Sequence, residues 1–274
     1  MKYLFFSIFC SVAVANLLKL FSRDNKSSSL FIFLGNYLIA SVIGFLFISK
    51  SSCHIHPSDI LISGMSGLFF LSGFIYYMKN ITVNGLSVSV STFRMSLVLP
   101  IAGSMILFGE YLSLINYVGI LLIFVAFLLL GSERRKYNLL LLAILFLIAG
   151  CTDFFPKLYT KFNNHNPNSF YLALNFSFAF AFNLILILFR RMKFSFDSFI
   201  RGMVLGIPNF FAAFFLMKSF DTISGTLAYP ILSASTVILT MTTDYVFWKK
   251  RFSKKEYIIF SIIITGVVLT VASI

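Results

Sequence analysis

The sequence predicts an all-α polytopic membrane protein, with ten transmembrane helices arranged as two inverted five-helix repeats. Three observations carry that expectation. Of 274 residues, 59% are hydrophobic and 11% charged, which leaves too little polar surface for a soluble domain. The apolar residues fall into ten runs, each near the roughly 20 residues that a helix needs to cross a bilayer. The chain also echoes itself. Lys19-Leu20-Phe21-Ser22-Arg23 recurs as Lys157-Leu158-Tyr159-Thr160-Lys161, and Asp59, Gly64-Met65, Met78-Lys79, Gly85 and Ser113 recur in order as Asp197, Gly202-Met203, Met217-Lys218, Gly225 and Ser253.

The first span, residues 3–21, follows Lys2 and contains Ala13-Val14-Ala15, a pattern that imitates a secretory leader. It is read as a retained span, because the apolar run continues to Phe21 and its ending recurs at Lys157. Residues 30–49 form the second span. The loop after it holds Cys53, His54, His56 and Asp59, a metal-like cluster that lacks paired-ligand spacing, so no metal site is expected. Cys10, Cys53 and Cys151 are odd in number and scattered, which does not suggest a disulfide framework. Spans three to five are 60–78, 86–108 and 114–131. The polar stretch Gly131 to Tyr137 then interrupts the apolar sequence and divides the repeats, 1–133 and 134–274. Spans six to ten are 138–158, 169–189, 199–217, 226–247 and 257–273. An odd number of spans per repeat makes the second enter the membrane from the opposite side, with the substrate site expected at the centre of the pseudo-two-fold axis.

The net charge of +13 does not imply a nucleic-acid partner. The basic residues sit in short juxtamembrane clusters such as Arg134-Arg135-Lys136, Arg190-Arg191-Met192-Lys193 and Lys249-Lys250-Arg251, and these are topology signals. Their bias towards the connections after odd-numbered spans places both termini outside. The 36 phenylalanines are read as lipid-facing filler. No glycine-rich phosphate-binding motif and no room for a soluble domain are present, so ATP hydrolysis and a cofactor are not expected. A membrane enzyme would need convergent acid, base or nucleophile groups, whereas His54, His56 and His165 fall in loops.

Ionisable groups inside spans carry the functional expectation, since each costs about 2.5–3.5 kcal/mol on insertion scales and needs a partner or a wet cavity. Arg94 lies roughly 12 Å into span four at about 1.5 Å per residue. Pro100, six residues later, is expected to open the helix and free a carbonyl. An arginine there can hold a substrate carboxylate or phosphate, or equally a fixed interhelical acid. Asp153 is its acidic counterpart, with Lys157 one turn later as a candidate i,i+4 partner; Asp244 is a second candidate partner for Arg94. Asp153 is also the candidate proton-coupling group. Ser87, Ser89, Ser91 and Thr92 precede Arg94 and extend a polar face of span four. Asn16, Asn36, Asn175, Asn183 and Asn209 supply further polar positions, of which Asn16, Asn175 and Asn209 join Arg94, Asp153 and Ser91 as expected substrate-binding residues. Pro230 in span nine pairs with Pro100 as an expected kink, so that both central helices would be discontinuous.

Leu107-Phe108-Gly109-Glu110-Tyr111-Leu112-Ser113, followed by Tyr117-Val118-Gly119 and an apolar helix, resembles the end of an EamA repeat of the drug/metabolite transporter superfamily. The resemblance spans the whole chain, although Lys250 stands where the second repeat usually carries its glutamate. It implies a secondary transporter of metabolites, amino acids or amphipathic compounds, often an exporter, in the bacterial cytoplasmic membrane. It also implies cytoplasmic termini, against the charge bias. The end of span one is similar to that of the small multidrug resistance proteins, but Ser11 and Ala149 occupy the positions matching their coupling glutamate, so that site is not carried over. Glu110 is expected to cap helix five or to pair with a basic neighbour. The expected partners are a small-molecule substrate and the lipid bilayer, with a functional monomer, because two repeats supply the pseudo-symmetric pair. A lipid-linked intermediate flippase, a non-transport membrane enzyme and an assembly protein are the competing readings.

Overall fold

The structure, a computed structural model, describes residues 1–21, 28–48, 54–130, 137–163, 166–247, 249 and 251–271, with the side chains of 86, 87 and 130 left aside. The expected repeat boundary at 133/134, Cys53, His165 and Lys250 lie outside the described residues. Among the described residues the chain is all-helical: α1 (Lys2–Phe21), α2 (Ser29–Leu46), α3 (Pro57–Asn84), α4 (Leu86–Met95), α5 (Val98–Phe108), α6 (Leu114–Leu130), α7 (Leu139–Phe162), α8 (Asn168–Phe189), α9 (Phe196–Ser219), α10 (Gly225–Val246) and α11 (Lys254–Val271). Helices α4 and α5 are the two halves of expected span four, so each apolar run in the sequence has become one span-like segment. Eight segments are long and apolar enough to cross a membrane among the described residues, counting Val88–Phe108 as one. Helix α6 is apolar but shorter, and α11 opens on Lys254, Lys255 and Glu256. Large apolar side chains face outward, Ile106 at 78% and Leu114 at 79% exposure among them, as lipid-facing positions require.

The helices cluster into two compact units. One comprises Met1–Leu71 with Leu158–Ser219, the other Ser72–Lys157 with Phe220–Ile274. Each therefore draws on both halves of the sequence. In the first unit α2 packs on α8 and α9, and α1 packs on α9. Its close approaches recur at a constant interval. A Cβ on Gly67 would stand 2.8 Å from the Asn175 carbonyl oxygen, and one on Gly206 would stand 2.6 Å from that of Asn36. Both the glycines and the asparagines are 139 positions apart. In the second unit α6 packs on α11, α10 packs on α5 and α11, and α4 packs on α6. Ile123, Ala126, Phe127, Ala234, Ile259 and Ile263 form its buried core.

The start of α6 repeats at the start of α11. The Ser113 amide donates to Asn116 Oδ1 at 3.1 Å and the Asn116 amide to Ser113 Oγ at 3.4 Å. In the same way the Ser253 amide donates to Glu256 Oε2 at 2.8 Å and the Glu256 amide to Ser253 Oγ at 3.3 Å. Each is a reciprocal capping box that satisfies two orphan amides of a helix start, and the two lie 140 positions apart. Glu110, expected to cap this helix five, is not the group that does so.

The interruption of span four follows from Pro100. Proline has no N–H to donate to the Ser96 carbonyl and disfavours helical backbone just before it. The Leu99 amide takes that carbonyl in a tighter turn at 3.0 Å. A new helix then starts at Val98, placing Pro100 in a first turn where a missing amide costs nothing. Span nine behaves differently: α10 runs without interruption through Pro230, so the discontinuity expected in both central helices is present in one. Helices α7 and α9 also carry internal prolines, Pro156 and Pro208.

Candidate functional site

The break between α4 and α5 is where the second unit gathers its charges. Gly150 on α7 makes this possible: a Cβ there would stand 2.7 Å from the Ser96 carbonyl oxygen and 2.8 Å from Leu99 Cβ, so only glycine lets α7 lie against the broken backbone. Three residues further along the same face, α7 presents Asp153. Arg94, two residues before the break, donates from Nη1 to Ser233 Oγ of α10 at 3.4 Å. Asp244, the other acid expected to meet Arg94, makes no ion pair with it among the described residues. Asp153 and Arg94 likewise make no contact ion pair among the described residues. A third helix closes the arrangement, with the Tyr229 hydroxyl of α10 donating to the Asp153 carbonyl oxygen at 2.6 Å.

One turn beyond Asp153 on α7, Lys157 is fully buried and its Nζ lies 2.6 Å from Glu110 Oε1. The i,i+4 pair of Lys157 with Asp153 that the spacing offers is thus replaced by a pair with Glu110. The other Glu110 oxygen accepts the Gly225 amide at 2.7 Å, and the Glu110 carbonyl accepts the Thr226 hydroxyl at 3.2 Å. A carboxylate at the start of α10 complements the positive end of that helix. Gly225 is closely approached as well: a Cβ would come within 2.7 Å of Ser104 Oγ, which would have to turn away. Gly109, in left-handed backbone with φ of 63°, ends α5 and turns Glu110 back towards α7 and α10. The Phe220 ring lies beneath the ammonium at 4.8 Å and adds a cation–π contact.

These contacts make a ladder along one face of α10. Gly225, Tyr229 and Ser233 are successive i,i+4 positions facing the Glu110–Lys157 pair, the Asp153 carbonyl and Arg94 in turn. The ladder spans roughly 12 Å at about 1.5 Å per residue. Ser91 is 5% exposed and donates to the Phe127 carbonyl of α6, while Ser89 donates back to the Gly85 carbonyl at 2.7 Å. Ser89 and Ser91 of the hydroxyl stripe are therefore engaged in holding α4 in place.

The asparagines belong to the first unit. Asn16 donates to Val12 of its own helix at 2.9 Å, and Asn209 donates to Asn36 Oδ1 at 3.1 Å. Asn175 is 3% exposed and its Oδ1 has no hydrogen-bond partner among the described residues. The 139-residue interval accounts for this. Asn36 corresponds to Asn175 and Phe70 to Asn209, so the amide pair of one half has a phenylalanine in place of its donor in the other.

Sequence reasoning missed a buried carboxylate cluster in this unit. Asp59 is fully buried at the start of α3 and accepts the Tyr159 hydroxyl at 3.1 Å, Asn163 Nδ2 at 3.0 Å, Asn166 Nδ2 at 3.0 Å and the His56 amide at 3.0 Å. In the sequence Asp59 stands out only as a member of the self-similar set with Asp197 and of the metal-like cluster with Cys53, His54 and His56, and neither points to these partners. These bonds define its role as an anchor for the loop before α3 and the end of α7. Among the described residues no group of three His, Cys, Asp or Glu side chains is placed to hold a metal.

Comparisons with known proteins agree with the architecture. An uncharacterised protein of Haemophilus influenzae is 28% identical over 280 residues, covering 96% of this chain and 95% of its own. A protein of known crystal structure superposes with a TM-score of 0.79 at 14% identity, over 100% of this chain and 99% of its own, a likeness of fold. The profile of the EamA-like transporter family matches residues 136–272, half the chain. With its multiple apolar spans, the protein is a multi-pass membrane protein and belongs to the EamA-like transporter family of the drug/metabolite transporter superfamily.

Proposed function

We propose that this chain is a secondary active transporter that moves a small polar metabolite, an amino acid or an amine-bearing relative, across the bacterial cytoplasmic membrane by alternating access, in the export direction and as a monomer. The observation that carries this reading is the placement of Arg94 on Ser233 and of Asp153 beside Tyr229, an arginine and an aspartate facing adjacent turns of α10 at the break between α4 and α5 without a contact ion pair. Two charges held in a low-dielectric interior normally collapse into a contact pair, because their attraction there is strong. Without a contact pair, each group is available to an incoming solute, the arginine for a carboxylate and the aspartate for an ammonium. The recurring capping boxes and glycine–asparagine approaches support two repeats, 1–133 and 134–274, and the odd number of spans in each supports their inversion. Energy comes from an ion gradient, with Asp153 as the proton-coupling group.

The test is thermal stabilisation of the purified protein by a panel of amino acids, amines, organic acids, nucleosides and sugar phosphates. A stabilising solute whose effect disappears in Arg94→Ala supports the reading. A solute that stabilises the wild type and Arg94→Ala equally removes Arg94 from the site and returns it to a structural role.

A further inference from the structure

We infer that the groove between the end of α10 and the start of α11 is a binding site for an anionic phospholipid, with one acyl chain in the groove and the phosphodiester headgroup on the basic rim beside it. Met241, Thr242 and Tyr245 of α10, Phe252 of the connection, and Tyr257 and Phe260 of α11 line a cavity of about 180 Å³. Ligand clefts for drug-sized solutes run about 300–1,000 Å³, so this groove is too small for such a solute and suits a segment of a single chain. Its lining is aromatic and aliphatic; of the hydroxyls on its walls, that of Thr242 is already bonded to the Ile238 carbonyl, and those of Tyr245 and Tyr257 sit on exposed side chains. Water in such a groove would lack the two to four polar partners it needs.

Position and charge choose the occupant. The groove lies where α10, a candidate membrane span, ends and the apolar helix α11 begins, a level at which aromatic side chains collect by the headgroups; Tyr245 and Tyr257 are exposed there at 59% and 53%. Lys249, Arg251 and Lys254 are exposed on the same connection. Basic residues beside a membrane helix each contribute about 1 kcal/mol of attraction to an anionic leaflet. An apolar groove that opens under a cationic rim at this depth fits a molecule with a long hydrocarbon chain and a negative head. Neutral lipid would fill the groove but leave the rim unused. Inorganic phosphate would meet the rim but leave the groove empty.

The experiment adds dioleoyl-phosphatidylglycerol or dioleoyl-phosphatidylcholine, at matched mole fractions, to the full chain in neutral detergent micelles and reads the unfolding temperature. Phosphatidylglycerol is expected to stabilise more than phosphatidylcholine. The excess should fall by at least half in the exposed double variant Arg251→Gln with Lys254→Gln, and also in Met241→Trp, which fills the groove. It should survive Arg190→Gln with Arg191→Gln, an equal charge change at another connection. Equal stabilisation by the two lipids, an equal loss in the Arg190/Arg191 control, or reproduction of the effect by inorganic phosphate alone would each overturn the assignment. Transport is not the readout, so the result is independent of the Arg94–Asp153 reading.

Discussion

Lys157 Nζ lies 2.6 Å from Glu110 Oε1 with the lysine side chain fully buried, and the same glutamate receives the first amide of α10. Three elements are thereby fixed to one carboxylate: the end of α5, α7 and the start of α10. A buried pair is weak evidence of net stabilisation, yet removing one member typically costs about 3–5 kcal/mol because the other is stranded. Lys157→Met is therefore expected to destabilise by about 3–5 kcal/mol. Lys157→Met combined with Glu110→Gln should recover most of that loss, since glutamine keeps an acceptor for Gly225 without a charge. Chemical unfolding in detergent, read as a double-mutant cycle, checks it; a double variant no better than the single would mean that the charge pair is not the source.

Pro100→Ala restores an amide that can donate to the Ser96 carbonyl. The break should then heal towards a continuous helix, with stability unchanged or raised by up to about 1 kcal/mol. The Arg94 side chain should be re-aimed and transport should drop several-fold. Unfolding temperature and initial transport rate, measured on the same preparation, separate the two effects. A variant with both unchanged would show that the break has no part in function.

Glycines with and without room make a matched pair. Gly150→Val places new carbons against the Ser96 carbonyl and Leu99, and overpacking of this kind costs about 1–3 kcal/mol. Gly64→Ala meets only the Phe178 ring at 3.8 Å, ordinary contact, and should gain up to about 1 kcal/mol from helix propensity. The comparison needs only two unfolding curves.

The two corresponding asparagines should respond oppositely to the same change. Asn175→Leu removes a buried acceptor that lacks a partner, so stability is expected to hold or rise, whereas Asn209→Leu strands Asn36 and should cost about 1–3 kcal/mol. Loss of solute-induced stabilisation in a normally stable Asn175→Leu protein would assign Asn175 to the substrate path.

Proton coupling through Asp153 predicts that Asp153→Asn accumulates substrate at a rate independent of pH across the range in which the wild type varies. Accumulation assays in proteoliposomes with an imposed pH gradient measure this. Full retention of the wild-type pH dependence would remove Asp153 from that role.

The ten apolar runs were legible because lipid imposes a length and a composition on any helix that crosses it, and the observed boundaries fall within a few residues of the runs. Self-similarity was legible for the same reason. Ser113 and Ser253 recur in sequence and rebuild the same cap in space. Pro100 announced a break, and the position of that break one turn earlier follows from the carbonyl it cannot serve. Partnerships across helices were not legible. Lys157 has an acid four residues away on its own helix and takes Glu110 instead, because Gly109, Gly150 and Gly225 control how near the backbones come.

Sequence alone determined the all-helical, multi-pass class, the order and extent of the apolar spans, and the presence of charges that lipid tolerates only with partners. Tertiary structure decided which charges meet. It gave Lys157 to Glu110, set Arg94 and Asp153 against adjacent turns of α10 without a contact pair, and left Asn175 Oδ1 without the bond that Asn36 has among the described residues. The physical reason is range. Hydropathy and helix geometry act between neighbours along the chain, whereas an ion pair or hydrogen bond depends on ångström-scale approaches between residues far apart in sequence.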